Sequence, residues 1–557
     1  MVENNIKLEL AGSFTSIEDN NNSLYQYNID SLKPGINYQD KHIVKLSSDK
    51  QIGWVVSRIC DHASGTLQPC KNNRFAECPL HGWKLDLDVL QYSNVNVTKE
   101  KLAFEIENNH VIIRQPKTHL ELPKKISSTQ QQLDLEIRFL SHACLLFTCG
   151  PINIITDPWI HGPCFLNSWW HNPAPSSDAF DQLLNADLVY ISHNHPDHMH
   201  EDTLLKLYQQ RPDIPIVIPN FKTKSAERPL RGLGFTNVIP LAFNQIHKLS
   251  GQDIYISILK SGDFRDDSGL YLSYGQKQAL ISVDSSALNN YVLPTEIDFL
   301  ATSFAGGASS HPWCFDHYSE DEKLKITHSR HLSVKNSIFS YINACKPKSY
   351  MPYAGYFSEA APRDEYIKKN NIKNSQQAIA SEIHNLYPNI VAIDPISTDK
   401  ITIGKSITAG SSDVSRPTIS NDDISRHLDN EHMPDKEIFF ISAQKYFSAS
   451  AFKDDLILYL LPCDSDFTPL EKGLIIDFSG QINSRILHRQ NVQLEYHSES
   501  CKKRQLLIKV RATSLWQVIQ HQKSWEELSI GFHCRIHRKP DVYNSDFWYH
   551  FSNIYIK

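Results

Sequence analysis

Two short segments, each containing one cysteine and one histidine, restrict how the N-terminal part of the chain can fold. They read Cys60-Asp-His62 and Cys78-Pro-Leu-His81, with fifteen residues between them. A Rieske [2Fe-2S] centre has two thiolates on one iron and two imidazoles on the other, and two mixed loops supply this set. Zinc also accepts two cysteines and two histidines, but zinc fingers pair cysteine with cysteine and histidine with histidine. We therefore predict that these four residues bind a Rieske cluster.

The flanking sequence predicts the fold of this unit. Short β-rich runs, separated by polar or glycine-containing pieces, predict strands at residues 43–46, 54–58, 83–87 and 110–114. Gly65 and Gly82 follow the two pairs and permit tight turns, which bring backbone N–H groups close to the cluster sulfurs. We predict an all-β Rieske domain over residues 1–118 and a polar linker over 115–132.

A second group of metal-ligand side chains follows a buried strand. Residues 187–192 form a continuous apolar pattern and lead into His193-Asn-His195-Pro-Asp197-His198. The end of such a strand directs successive side chains into one cavity, and imidazole and carboxylate ligands suit zinc, iron or manganese. We expect His193 and His195 to share one metal, while Asp197 and His198 can complete a second.

Other ligands of this site are expected from more distant segments. Asp284 follows a predicted strand and fits the aspartate that bridges two metals in metallo-β-lactamase-type domains. The histidine that such domains usually place before it is absent. Asp263 occupies that region, so either it substitutes as a ligand or it is a turn aspartate and the site holds one metal. His142 either lines the same pocket or is a structural hydrogen-bonding residue.

The pattern of strands and helices after Leu133 predicts a layered α/β unit. Alternating and buried strand patterns are interrupted by helical spacing, and an amphipathic helix is predicted over residues 332–344. We predict a metallo-β-lactamase-like αββα sandwich over residues 133–405. A polar second linker should follow over about 405–436, and a small C-terminal α+β domain over 437–557. The complete prediction is a multidomain protein.

Composition limits the remaining classes. The chain has 557 residues, of which 41% are hydrophobic and 21% are charged, as in ordinary globular proteins. The formal charge of −6 gives no argument for nucleic acid or an anionic membrane as a partner. We see no secretory leader and no apolar run long enough for membrane insertion, so we expect a cytoplasmic protein. Eleven cysteines, an odd number, argue against a disulfide framework.

Several further segments resemble one family. They are Thr156-Asp-Pro-Trp159, Trp169-Trp170, Phe304-Ala-Gly-Gly-Ala-Ser309, Tyr353-Ala-Gly-Tyr-Phe357 and Lys539-Pro-Asp-Val-Tyr543. Together with both ligand motifs in this order, they resemble the CMP-N-acetylneuraminate hydroxylase family over about residues 35 to 555. The chain departs from the animal members at His311 and in the loop from Gly262 to Asp267.

This resemblance implies an enzyme, a monooxygenase that hydroxylates the N-acetyl methyl group of CMP-N-acetylneuraminate, a CMP-sialic acid, with O2. In animals such enzymes take electrons from cytochrome b5 and its NADH-dependent reductase, so we expect that donor or a ferredoxin with its reductase as partner. The expected cofactors are the Rieske cluster and one or two non-haem iron ions, with zinc as the alternative. A redox-inactive zinc would leave a one-electron relay without a purpose, which favours iron at His193 and His195.

Two other functions remain open from the sequence. One is a related Rieske-dependent oxygenase that acts on another N-acyl or amine substrate. The other is a zinc hydrolase of the metallo-β-lactamase fold, whose bound water attacks a phosphodiester, lactone or amide while the Rieske unit only senses redox state. The residues that we expect to be catalytic are His193, His195, Asp197 and His198.

Overall fold

The computed structural model describes residues 6–123, 133–498 and 501–553, apart from residues 63, 94 and 264. An all-β unit comes first along the chain, a larger unit with two packed sheets follows, and a mixed unit comes last. The predicted fold class is confirmed. The exact domain boundaries stay a prediction, and the structure departs from them at three places described below.

Three small sheets form the N-terminal unit. Side chains of the middle sheet alternate between two cores, so that Ile43 and Val56 pack on one side while Val44 and Val55 pack on the other. The sheets contain the strands Thr15–Asn28, Glu105–Glu107 and His110–Glu121; Gly35–Tyr38, His42–Leu46 and Ile52–Ser57; and Gln68–Pro69, Phe75–Glu77, Lys84–Asp86 and Gln91–Tyr92. A 3-10 turn spans Ile29–Ser31.

Two eight-stranded sheets form the second unit. The first sheet has the order Val238–Leu241, Ile216–Pro219, Leu188–Tyr190, Ile152–Thr156, Cys144–Cys149, Leu135–Ser141, Lys400–Ile403 and Ile407–Gly410. The second sheet has the order Leu8–Ser13, Gln245–Leu249, Ile254–Lys260, Ser268–Tyr274, Lys277–Ile281, Phe299–Ser303, Ser349–Tyr353 and Val391–Ala392. Apolar side chains from both sheets share one large core, because each sheet turns one face toward the other.

Helices cover the outer faces of this sandwich. Those with side chains in the core of the first sheet's outer face are Ala179–Leu184, Glu201–Gln210 and Glu227–Gly232. Those packed against the second sheet are Glu320–Cys345 and Gln376–Leu386. The arrangement is an αββα sandwich. Shorter elements are the helix Glu365–Asn370, the 3-10 turns Leu288–Tyr291 and Pro362–Asp364, and the paired strands Trp170–His171 and Phe357–Ser358.

The helix Glu320–Cys345, called the long helix below, is twice the length that the sequence predicts. It begins at a capping box formed by Ser319 and Glu322. Its N-terminal half buries Lys323 and Arg330 instead of apolar side chains. Hydrophobic periodicity was therefore absent there, and the prediction found only residues 332–344.

Backbone pairing explains where the predicted boundaries differ. The strand Leu8–Ser13 pairs with Gln245–Leu249 at the edge of the second sheet, although it lies in the segment assigned to the Rieske domain. The strand His110–Glu121 continues into the predicted first linker. In the predicted second linker, Ile407–Gly410 extends the first sheet and Asn421–Asp429 forms a helix. A strand joins the edge of a sheet through main-chain hydrogen bonds, so its side chains need not show a strong hydrophobic pattern in the sequence.

The C-terminal unit contains one five-stranded sheet with helices. The strand order is Asn483–His488, Lys472–Asp477, Leu456–Cys463, Arg504–Arg511 and Cys534–Lys539. The helices are Lys436–Ala449, Arg489–His497, Ala512–His521, Glu526–Ile530 and Ser545–Asn553. A buried ion pair joins this unit to the sandwich, with 2.6 Å between Arg511 Nη1 and Asp364 Oδ1. The helix Glu526–Ile530 of this unit lines a cavity together with residues of the sandwich.

Candidate metal centres

The two Cys–His pairs lie in loops with the same backbone hydrogen-bond pattern. The N–H groups of Cys60 and Cys78 each donate to the carbonyl five residues ahead, at 2.8 Å. Ser64 and Gly82, each four positions after its cysteine, donate back to the cysteine carbonyl at 3.0 and 2.8 Å. Both have left-handed backbone, with φ of 55° and 73°. The two loops therefore present their cysteine and histidine side chains from similar turns.

The residues of these loops are compatible with a Rieske cluster. Cys60 and Cys78 are buried and are not joined in a disulfide. A Cβ at Gly65 would lie only 2.5 Å from Cys78 Sγ, so a glycine is needed to leave space beside this thiol. The rings of His62 and His81 are 4.7 Å apart, and His81 Nδ1 is buried with no hydrogen bond to a described residue. Such a buried nitrogen is suited to a metal.

Burial also sets the protonation of these ligands. It lowers the pKa of His81 to about 3, and burial together with the charge of His81 holds the pKa of His62 well below its usual value. Both imidazoles are therefore neutral at pH 7, which is the form that binds a metal. Burial raises the pKa of the Cys78 thiol well above its usual value, so metal binding there must displace a proton.

The second group of ligands lies where parallel strands of both sheets end. The strand Leu188–Tyr190 runs parallel to Ile152–Thr156, and the segment from His193 to His198 follows it. In the second sheet, Asp284 follows the strand Lys277–Ile281, which runs parallel to its neighbour. Since the carboxyl ends of parallel strands lie at one edge of a sheet, the two sheets bring these side chains to one place.

Two sets of potential ligands form there, and within each set the ligand atoms lie within 4.8 Å of one another. The sets are His193, His195 and Asp284, and His142, Asp197 and His198. Asp284 Oδ2 also lies 3.4 Å from His198 Nε2, so its carboxylate stands between the two sets. The sequence suggested His142 only as one of two readings, and the structure places it with the second set.

The atoms that face each other in these sets are suited to a metal. His193 Nε2 and His195 Nδ1 are 2.8 Å apart. Two atoms of the other set, His198 Nε2 and Asp197 Oδ1, are buried and form no hydrogen bond with a described residue. Buried polar atoms of this kind normally have a partner, and imidazole with carboxylate suits iron, zinc or manganese. The residues therefore fit one or two such ions.

Hydrogen bonds from outside the sets orient the imidazoles. His198 Nδ1 lies 3.0 Å from Asp157 Oδ2, and Ser192 donates to the same aspartate through its N–H and its hydroxyl, both at 2.8 Å. His195 Nε2 lies 3.0 Å from Glu526 Oε2. Each contact occupies the far ring nitrogen and leaves the other nitrogen facing the set, as in metal sites where a carboxylate fixes a histidine ligand.

The sequence did not identify these orienting residues. Asp157 directly follows the strand Ile152–Thr156, a position that could have suggested a role. Glu526 belongs to the C-terminal unit and is 331 residues away from His195 in the chain, so no local pattern could have found it. Asp157 and Val283, which precedes Asp284, have φ of 39° and 51°. A branched side chain such as valine rarely adopts this backbone, and such strain is concentrated at functional sites.

Asp263 takes a different position from the one suggested as a ligand. Its carboxylate binds Arg265, with 2.9 Å between Asp263 Oδ2 and Arg265 Nη2, and it lies in neither ligand set. Asp267 comes closer to the site, with its Oδ1 3.6 Å from His193 Nδ1. Burial raises the pKa of Asp267 to about 7. The place of the missing histidine is therefore occupied by an ion-paired acidic loop.

One cavity contains side chains from both candidate metal centres. Its walls include His62 and His81 from the Cys–His loops and His193, His195 and Asp284 from the sandwich. The C-terminal unit contributes Glu526, Tyr543 and Trp548 to the same walls. All three units therefore meet around a single cavity.

The fold and the site define a class of protein. Residues 136–260 match the family model described as a Beta-lactamase superfamily domain. The crystal structure of CmlA, a diiron beta-hydroxylase from Streptomyces venezuelae, is 15% identical, with a TM-score of 0.33, and the match covers 50% of this chain and 55% of that one. With its αββα sandwich and its ligands at the strand ends, the second unit is a metallo-β-lactamase-fold domain.

Similarity over the whole chain gives the family. The cytidine monophosphate-N-acetylneuraminic acid hydroxylase of Macaca mulatta is 30% identical, over 94% of this chain and 91% of that protein. The protein of the same name from Xenopus laevis is 28% identical over 94% of this chain and 92% of its own length. The chain belongs to the cytidine monophosphate-N-acetylneuraminic acid hydroxylase family, and it is a hydroxylase. The predictions of family and enzyme type are confirmed.

The longest of the described helices is Glu320–Cys345, with 26 residues. None of them, within residues 6–123, 133–498 and 501–553, combines the length and the apolar character that a membrane crossing requires.

Proposed function

We propose that the protein hydroxylates the N-acetyl methyl group of CMP-N-acetylneuraminate to the N-glycolyl form. The balanced reaction inserts one atom of O2 into the methyl C–H bond and reduces the other to water, with two electrons and two protons. The electrons come from outside the chain, from cytochrome b5 or a ferredoxin with its NADH-dependent reductase, and we propose the cytoplasm as the location. The names of the relatives support this substrate.

The observation that carries the proposal is the shared cavity, which has imidazoles of both candidate centres in its walls. Cys60, His62, Cys78 and His81 would hold the Rieske cluster, and His142, His193, His195, Asp197, His198 and Asp284 would hold one or two iron ions. When bound, the cluster supplies single electrons and the iron supplies the activation of O2 that an unactivated C–H bond requires. Asp263 is not included, because Arg265 occupies its carboxylate.

The residues of the chain have three tasks in this proposal. Asp157 and Glu526 accept hydrogen bonds from His198 and His195, which fixes the ring nitrogens that face the metal. The stacked rings of Trp169 and Phe357, with centroids 3.4 Å apart, form an apolar wall that excludes water. In this proposal, the walls from the three units hold the substrate between the two candidate centres.

The test is to incubate the reduced, iron-loaded protein with CMP-N-acetylneuraminate and isotopically labelled O2, and to analyse the nucleotide sugar by mass spectrometry. The proposal predicts a product heavier by one labelled oxygen atom. Cys60→Ser should abolish this product, whereas Cys70→Ser, which changes a thiol of the same unit outside the predicted ligands, should retain it. Unlabelled hydrolysis products that survive Cys60→Ser would instead show a hydrolase, and a labelled product only from other N-acyl compounds would show another substrate.

A further inference from the structure

Arg330 is a buried cation on the wall of the shared cavity. It lies in the middle of the long helix and is only 2% exposed, yet its side chain lines the cavity. A guanidinium has five N–H donors. One goes from Nη1 to the carbonyl of His311 at 2.7 Å, and one goes from Nη2 to Asn371 Oδ1 at 2.8 Å. Its Nε forms no hydrogen bond with any described residue.

No described carboxylate forms an ion pair with this guanidinium, and the nearest acid is shared with another cation. Glu359 is the nearby acid, but its Oε2 binds Lys373 Nζ at 2.7 Å and its Oε1 accepts a hydrogen bond from Asn371 at 3.2 Å. Arg330 has no ion pair within 4.0 Å in the described part of the chain. Burial lowers the pKa of Arg330 to about 10, so it stays charged at pH 7. A buried charge without a counterion is costly unless a ligand supplies one.

The loop that follows the strand Phe299–Ser303 adds backbone donors to the same wall. Residues 306–309 line the cavity, and Gly306 and Gly307 have φ of +66° and +89°. Within the described residues, none of the four backbone N–H groups of this loop donates a hydrogen bond. Consecutive backbone N–H groups in a turn that are not already bonded can together bind an anion. Asn371 ties the loop to Arg330, because its Nδ2 donates to the Gly307 carbonyl at 2.8 Å.

We propose that Arg330 and the N–H groups of residues 306–309 form an oxyanion subsite that binds the anionic part of the substrate. A guanidinium binds carboxylate and phosphate groups with two parallel hydrogen bonds, which fixes their orientation as well as their position. The assignment of the anion rests on the proposed function, since CMP-N-acetylneuraminate carries one carboxylate and one phosphodiester. Either group, held at this wall, directs the rest of the molecule along the cavity that the metal ligands line.

The first test measures the subsite without the substrate. Acetate and inorganic phosphate, compared with chloride at constant ionic strength, should raise the unfolding midpoint of the wild type, because a ligand of the native state stabilises it. Arg330→Gln should lose this increase, and Arg485→Gln, which removes an exposed arginine of the C-terminal sheet, should retain it. Equal responses of Arg330→Gln and the wild type would overturn the subsite.

The second test identifies the anion. Dissociation constants are measured by calorimetry for CMP-N-acetylneuraminate, for CMP, which lacks the carboxylate, and for the methyl glycoside of N-acetylneuraminate, which lacks the phosphate. Arg330→Gln should raise the dissociation constant of CMP-N-acetylneuraminate about 10- to 100-fold, as expected when hydrogen bonds to a charged group are lost. The same loss with CMP assigns the phosphate, and the same loss with the glycoside assigns the carboxylate. Unchanged affinity for all three compounds would refute the proposal.

A second variant covers the case in which Arg330→Gln does not fold. Gly307→Ala keeps the guanidinium but places a Cβ 3.1 Å from Asn371 Nδ2, at a φ that alanine rarely adopts. This variant should also bind CMP-N-acetylneuraminate more weakly than the wild type. Unchanged affinity would again refute the subsite. If simple anions bind in an Arg330-dependent way but the wild type does not bind CMP-N-acetylneuraminate, the subsite stands and the proposed substrate is wrong.

Discussion

Replacing Gly65 by alanine places a methyl group where the cysteine loops have no room. The added Cβ would lie 2.5 Å from Cys78 Sγ and 2.9 Å from Leu80 Cγ. The Cys78 backbone is held by its 2.8 Å hydrogen bond, so the thiol cannot retreat unless the loop moves. Overpacking of this kind costs about 1–3 kcal/mol. That cost reduces the population of the native loop about 5- to 160-fold relative to displaced conformations.

The assay measures iron and acid-labile sulfide per chain after reconstitution, together with the urea midpoint of unfolding. Gly65→Ala should lose most of the cluster and should unfold at a lower urea concentration than the wild type. Gly480→Ala is the matched control, because a Cβ there meets no atom within 4 Å, and it should match the wild type. Full cluster content and an unchanged midpoint in Gly65→Ala would refute the argument that glycine provides the space beside Cys78.

Three further predictions concern contacts between the units. Glu526→Gln removes the charged acceptor that lies 3.0 Å from His195 Nε2. In a metal titration it should lower the metal affinity of the second site about 10- to 100-fold. Wild-type affinity would show that Glu526 does not orient the imidazole. Asp364→Asn leaves Arg511 buried without its counterion and should cost about 3–5 kcal/mol in the free energy of unfolding, measured with urea; a loss under about 1 kcal/mol would contradict this. Burial raises the pKa of Asp541, but a histidine hydrogen bond and neighbouring cations outweigh it and hold that pKa well below its usual value. The stability that Asp541 contributes is therefore complete above about pH 4–5 and is lost as the pH falls further. In a plot of the unfolding midpoint against pH, Asp541→Asn should flatten the acid side. A curve parallel to that of the wild type would refute this.

The sequence predicted those parts of the site whose residues are close together in the chain. The segment from His193 to His198 holds four potential ligand residues in six positions after a strand, so a metal-binding role could be predicted from local spacing alone. The two Cys–His pairs are recognisable for the same reason. Asp284 could be predicted because it follows a strand pattern, and parallel strands end at a common edge.

The remaining parts depend on contacts that leave no local pattern. Glu526 reaches His195 only because the C-terminal unit packs on the sandwich, and the strand Leu8–Ser13 joins the second sheet by main-chain pairing. Arg330 lay outside the predicted helix, because the buried face of that half is polar. For Asp263 the sequence instead suggested a ligand that the structure does not place in the site. Its residue type and its segment are suitable, but its carboxylate is paired with Arg265.

The most direct test of the account is a single-turnover experiment on the fully loaded protein. Both metal centres are reduced without any excess donor, so that the cluster would supply one of the two electrons and ferrous iron in the second site the other. The protein is then mixed with CMP-N-acetylneuraminate and O2 and sampled by rapid freezing. Its paramagnetic signal and the N-glycolyl product are measured in the same samples. We expect the reduced-cluster signal to disappear at the rate at which the product forms. Product formation while the cluster stays reduced would contradict the claim that electrons pass from the Cys–His loops to the second metal site.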